Sequence, residues 1–247
     1  MQNISLEIEY VGTNYFGFQI QEKKNTKEIT IQGVLEEALT KFFGQKIRIV
    51  YASRTDRGVH ARGQIINFKI DTTAPLKNIK TAINSLLPPD IRIKKIKAVG
   101  LDFHARFWAK SKIYRYIILN KKEPSVFWEG FAWQVTDELD LAAMEKVANK
   151  LLGKKDFSLF AKKPEKYKDA IRTIKSIAVK KKGNFAYIEI EADGFLRYMA
   201  RNIVSFLIKV ASGKISTKVV DPILQKKAKY INKPAPAAGL YLCSVKY

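Results

Sequence analysis

Of 247 residues only one is cysteine and two are histidine. A lone Cys243 cannot form an intrachain disulfide, and one thiol with two imidazoles leaves too few soft ligands for a structural zinc site. A reducing compartment, the cytoplasm, is expected. Also missing is any apolar run approaching the ~20 residues of a membrane-spanning helix. The first residues alternate in polarity instead of forming the apolar stretch of a signal peptide, so neither a leader nor a membrane partner is expected. Acidic residues are scarce: 23 Asp and Glu stand against 45 Lys and Arg, a formal net charge of +22.

What is present describes a packed globule. Hydrophobic residues make up 47% of the chain and 28 residues are aromatic, enough for one large domain or two modest ones. A cationic excess of this size attracts polyanions. Nucleic acid leads, because phosphate neutralisation by Lys and Arg supplies most sequence-independent affinity, whereas a membrane-surface protein gathers its charge on an amphipathic helix. A merely solvated basic surface is the plain alternative.

Ile4, Leu6, Ile8 and Tyr10 alternate with Ser5, Glu7 and Glu9, the period of a half-buried strand. The loop after it, VGTNYFGFQIQ, sets Gly12 and Gly17 among Tyr15, Phe16 and Phe18; aromatics so placed stack on bases or fold back on the core, and Phe18 is read as core. A helix fits Ile31 to Phe43, with Ile31, Val34, Leu35, Ala38, Leu39 and Phe42 on one face and Gly44 to close it. Strands are expected at Ile47 to Ala52 and Gln64 to Asp71, a helix from Leu76 to Leu87 between Pro75 and Pro88, and a strand from Ile91 to Val99.

A similar order recurs from about Ala109: a strand to Asn120, a helix from Leu141 to Leu152 between Asp140 and Gly153, and strands Thr173 to Lys181 and Phe185 to Asp193 about a Gly183-Asn184 turn. Then come a long helix, Phe195 to Ser212, the segment Val219 to Tyr230, and a last strand, Leu240 to Val245. The fold class expected is α+β, with two β-α-β-β-α-β halves of ferredoxin-like type at residues 1–107 and 108–247.

Between the two central strands of the first half lies Ala52 to Gln64, ASRTDRGVHARGQ, with one carboxylate, three arginines and one of the two histidines. In extended backbone, side chains two apart point the same way, so Arg54 and Asp56 are expected as neighbours before a tight reversal at Gly58. A nearby cation favours the ionised carboxylate, which can act as nucleophile, base or metal ligand. A salt-bridged turn without function is the bland alternative. On the long helix, Arg197, Arg201, Ser205 and Lys209 recur every four residues opposite the apolar stripe; this is a solvated face unless phosphates meet it. Tyr114 and Tyr116 share one face of their strand, and periodicity alone makes both core residues.

The string SRTDRGVHA resembles the GRTDxGVHA signature of the TruA family of tRNA pseudouridine synthases. YVGTNYFGFQ, FHARFWAKSKIYRY, DGFLRYMARNIV and APAAGLYL resemble further segments of that family in the same order, so the likeness spans nearly the whole chain. Ser53 departs from the family's usual small glycine or alanine, and DFSLFAKK, Asp156 to Lys163, follows the family only loosely. The resemblance implies uridine-to-pseudouridine isomerisation in the anticodon arm of tRNA. It also implies one mixed, mainly antiparallel sheet with the active-site cleft between the halves, no cofactor or metal, and a homodimer whose RNA touches both chains.

Residue by residue, the resemblance implies Asp56 as nucleophile, with Arg54 and Arg201 orienting it and helping to open the nucleotide from its stack. It places Tyr114 against the uracil; Tyr116 keeps its structural reading, and Arg197 and Lys209 of the basic stripe are left as candidate phosphate contacts. His60 and His104 are weighed between acid-base work and a structural hydrogen bond. Two other classes stay in view. A non-catalytic RNA-binding protein of RRM-like topology needs no Arg-x-Asp loop, and a metal-dependent nuclease using Asp56 and His60 lacks the clustered carboxylates it requires.

Overall fold

The structure, a computed structural model, describes residues 1–21, 28–228, 230 and 233–247. The chain divides into two compact units, Met1–Lys110 with Tyr241–Tyr247, and Ser111–Leu240. The class is α+β. The last strand belongs with the first unit, where the Lys110 N–H donates to the Lys246 carbonyl at 2.8 Å.

In the first unit β1 (Gln2–Tyr10), α1 (Ile31–Phe43), β2 (Val50–Tyr51), β3 (His60–Ile70), α2 (Leu76–Leu86) and β4 (Ile91–Val99) follow the expected order. β1 lies antiparallel between β3 and β4, while β2 and β10 (Leu240–Lys246) pair with opposite ends of β3, the latter in parallel. Cross-strand partners such as Ile4 with Phe68 and Leu6 with Ile66 share one face and are buried. Phe43 of α1 lies 5.9 Å from the Phe68 ring, so the helices cover this face.

The opposite face carries Asn3 and Asn67, both buried. The Asn67 amide donates to Asn3 Oδ1 at 3.0 Å and to the Phe103 carbonyl at 3.2 Å, and its oxygen accepts from the Ala105 N–H at 2.9 Å. Asn3 in turn donates to the carbonyls of Gly100 and Phe103 at 2.8 and 3.0 Å. Segment 100–105 is thereby clasped to the sheet, and Phe103 and Ala105 form a small apolar cluster with Ala52.

β2 is shorter than the strand expected at Ile47 to Ala52 because helix side chains take the ladder's place. Glu36 accepts the Ile49 N–H at 3.1 Å and Thr40 the Ile47 N–H at 3.2 Å. β3 in turn starts at His60, four residues before Gln64, since Tyr10 and Tyr241 supply partners for Ala61 and His60.

The second unit contains β5 (Ser111–Asn120), β6 (Trp133–Val135), α3 (Leu141–Asn149), β7 (Gly153–Asp156), β8 (Ile171–Lys182), β9 (Phe185–Ala192), α4 (Met199–Ala211) and α5 (Val220–Leu224). β9 lies antiparallel between β5 and β8, β7 is antiparallel to β8, and β6 is parallel to β5. Gly153, read only as a helix stop, opens β7. α4 starts four residues after Phe195 because Tyr198 is left-handed, φ 67°. Lys229, in the expected segment Val219 to Tyr230, lies outside the described residues. Among the described residues no helix is long and apolar enough to cross a membrane.

Asn67→Leu keeps approximate volume but strands the Ala105 N–H and Asn3 Oδ1 in a buried place, each costing about 1–3 kcal/mol. A urea-unfolding stability lower by roughly 2–4 kcal/mol is expected; a loss under about 0.5 kcal/mol would show that segment 100–105 does not depend on the clasp.

Candidate active site

Asp56, half-buried, sits on the loop between β2 and β3, whose backbone is held from several directions. Buried Gln64 of β3 grips Ser53 at both ends, accepting from its N–H at 3.2 Å and donating to its carbonyl at 2.6 Å. Thr55 turns inward, its hydroxyl 2.8 Å from that of Tyr10, and its carbonyl accepts the Phe18 N–H at 3.1 Å. Beyond Asp56 the chain reverses, with the Val59 N–H donating to the Asp56 carbonyl at 3.1 Å and Gly58 at φ 78°.

The glycines of the loop after β1 are required by this packing. A Cβ on Gly17, already at φ +88°, would lie 2.8 Å from the Thr55 carbonyl oxygen, and one on Gly12 would overlap the Val59 carbonyl. Phe18 is fully buried, the core role read for it, while Arg57 lies over the Phe16 ring at 4.2 Å.

Both histidines make structural hydrogen bonds. The Gly12 N–H donates to His60 Nδ1 at 3.0 Å, which leaves the ring proton on Nε2, and the buried ring stacks on Tyr241 at 4.6 Å. His104 Nδ1 accepts from the Arg106 and Phe107 N–H groups, each at 3.2 Å, closing their turn.

Strand alternation holds around Asp56, with Thr55 inward between its neighbours. Arg54 is exposed.

In the second unit Tyr114 lies on β5 opposite Ile190, 5% exposed, with Phe195 edge-on at 4.8 Å. Tyr116 is deeply buried, donates to the Pro236 carbonyl at 2.7 Å, and has its pKa raised by burial against the opposing pull of Arg201. Arg201, half-buried on α4, donates from Nε to the Ala235 carbonyl at 2.7 Å. Its guanidinium stands 4.8 Å over the Tyr198 ring, which Lys162 and Arg197 also approach at 4.7 and 5.5 Å. Among the described residues, no three His, Cys, Asp or Glu side chains gather as metal ligands do.

A family model described as tRNA pseudouridine synthase matches residues 7–108 and 147–247. The chain is 41% identical to the tRNA pseudouridine synthase A of Acetivibrio thermocellus and 41% identical to that of a Thermoanaerobacter species, each over 248 residues and 100% of both chains. It is 40% identical to tRNA pseudouridine synthase A 2 of Clostridium perfringens over 251 residues and 100% of both chains. The chain belongs to the tRNA pseudouridine synthase family.

Membership makes the chain an isomerase that forms pseudouridine in tRNA. The matched blocks include the Asp56 loop and Arg201, while Tyr114 falls in the interval between them. The first unit holds the Asp56 loop through contacts to its backbone. Sequence reading missed the residues that do the bracing, Gln64 and Tyr10, and those that crowd Tyr198, above all Lys162. Only the two glycines near the amino terminus hinted at a close approach.

Gly12→Ala must push residues 53–59 away from the loop that braces them. Pseudouridine formation is expected to fall roughly 10- to 100-fold with little change in far-UV circular dichroism, since small misplacements of reacting groups are this costly. A rate within twofold of the parent would mean that the bracing does not position the loop for chemistry.

Proposed function

We propose that the chain isomerises uridine in the anticodon arm of tRNA with Asp56 as its nucleophile, working in the cytoplasm. The observation that carries this is the half-buried carboxylate on a loop held at Ser53, Thr55 and Val59 by separate backbone contacts. The carboxylate attacks either the ribose C1′ or the base C6, and the N-glycosidic bond breaks. The uracil turns, C5 bonds to C1′, the bond to Asp56 breaks to free the carboxylate, the C5 proton leaves, and N1 takes up a proton.

Opening the nucleotide from its stack costs a few kcal/mol before any chemistry. Arg54, exposed on the rim of the loop, and Arg201 supply cations for that step and for orienting Asp56. Tyr114 packs on the uracil and takes part in moving the C5 proton. Phe195 must yield for a base to reach its ring, because it covers Tyr114 edge-on at 4.8 Å.

Asp56→Asn is the direct test. With uridine labelled at C5, release of the label is expected to stop while tRNA affinity changes by less than about tenfold, ~1.4 kcal/mol. Substantial residual release would remove Asp56 from the role, and a parent chain that binds tRNA without any release would be a binder only.

Tyr114 separates into ring and hydroxyl. Tyr114→Phe keeps stacking, worth roughly 1–3 kcal/mol per base, and is expected to bind tRNA nearly as the parent does but to turn over at least ~100-fold slower. Tyr114→Leu is expected to lose occupancy of the flipped base as well. Near-parental single-turnover rates for both variants would return Tyr114 to the core.

The reading includes a homodimer. What supports it is an apolar knuckle after β5, where Val126 and Phe127 are 81% and 86% exposed and Trp128 is anchored 4.7 Å from the Phe185 ring. A second copy would cover such a patch. Sedimentation of the parent should give twice 28.2 kDa, and Phe127→Asp should shift it toward 28.2 kDa. A parent that sediments as a monomer at micromolar concentration would end the dimer proposal.

A further inference from the structure

The sheet face of the first unit that the helices leave free carries a hollow of about 600 Å³, lined by Lys97 and Val99 of β4, Phe103, Trp108, Lys110 and Tyr247. Val99 pairs with Asn3, which fixes the face. The floor is rigid. Phe103 meets Trp108 edge-on at 5.7 Å and Tyr247 at 5.0 Å, and the Tyr247 hydroxyl donates to the Ala105 carbonyl at 2.8 Å.

Trp108 stands apart from that floor. Phe103 is 9% exposed, whereas the indole is 49% exposed although its edge is held in place. Exposed Lys97 has, among the described residues, no ion-pair partner, and Lys110 lines the hollow as well. An open aromatic face bordered by ammonium groups, in a volume of small-molecule size, matches a nucleobase with its phosphates and matches little else that a chain of charge +22 meets.

The hollow and the Asp56 loop rest on one apolar cluster: Phe103 packs with Ala52, and Val99 and Tyr247 border the same group. They are nonetheless separate sites. From His60, at the loop's end, to Asn67, beneath segment 100–105, β3 advances seven residues, about 23 Å at ~3.3 Å each.

We propose that this hollow is a second RNA-binding site, taking one unpaired nucleotide of the tRNA substrate away from the reacting uridine, with its base on Trp108 and its phosphates against Lys97 and Lys110. The proposal rests on tRNA as the substrate. It divides recognition between a reacting centre and a remote stacking contact that sets where the RNA lies.

The test titrates the full chain with a tRNA transcript at fixed salt. Trp108→Ala is expected to weaken affinity at least about fivefold, Trp108→Phe to recover most of it, and Lys97→Glu to weaken it and make its salt dependence shallower. With Trp128 and Trp133 both changed to Phe, Trp108 is the only indole, and its emission should be quenched by tRNA with the same half-saturation as binding. If that double variant does not fold, the affinities decide alone. Trp108→Ala and Lys97→Glu both binding tRNA within twofold of the parent would overturn the proposal and leave the hollow to a protein partner or to none. Pseudouridine formation by the parent in the same transcript separates the two readings: if it fails, the functional assignment falls, and if it succeeds while these affinities hold, only the remote site falls.

Discussion

Backbone packed directly on backbone is the constraint on which the candidate site depends. The loop after β1 can reach the Asp56 loop only because Gly12 and Gly17 have no side chain to interpose, and the approach satisfies polar groups that would otherwise be stranded. The Phe18 N–H finds the Thr55 carbonyl at 3.1 Å and the Gly12 N–H finds His60 at 3.0 Å. With Gln64 and Tyr10 closing the remaining sides, the conformational entropy of the loop is lost on folding instead of on binding. A side chain on a loop so placed does not have to be ordered again by each substrate.

Charge is arranged with the same economy of partners. Glu7 and Glu9 take Lys94 and Lys95, Glu189 takes Arg115, and Asp156 takes Lys226, all on accessible surfaces where such pairs stabilise little. Lys226 and the Ser158 N–H hold the Asp156 carboxyl at about 2, well below its ordinary range. Cations outnumber acids by 22, so most of the positive surface faces water or a polyanion. The crowding of Lys162, Arg197 and Arg201 about the Tyr198 ring, where the backbone is strained at φ 67°, concentrates that charge at one place.

Elements whose burial alternates with a fixed period were legible from residues alone. α1 runs from Ile31 to Phe43 and β4 from Ile91 to Val99, as their apolar spacing requires, because a single buried face dictates that spacing. Where a side chain substitutes for a backbone partner, the same reading overran. Glu36 and Thr40 take N–H groups that a longer β2 would have paired, and no local pattern marks them for it. Tyr198 delayed the start of α4 by adopting a conformation that ordinary L residues avoid, and β7 formed from Gly153–Asp156, four exposed residues that no periodicity distinguishes.

The chemistry of the candidate site was written in the chain as residue types: a carboxylate between arginines in SRTDRGVHA, an arginine on the polar side of a long helix, and an excess of cations suited to RNA. These follow from composition and order, which local physics carries forward unchanged. Tertiary structure alone decided that His60 is a buried acceptor for Gly12 and that Tyr114 lies under Phe195. Each of those outcomes is a contact between segments distant in sequence. Its energy depends on how two already folded pieces of backbone meet, and no window of neighbouring residues contains that information.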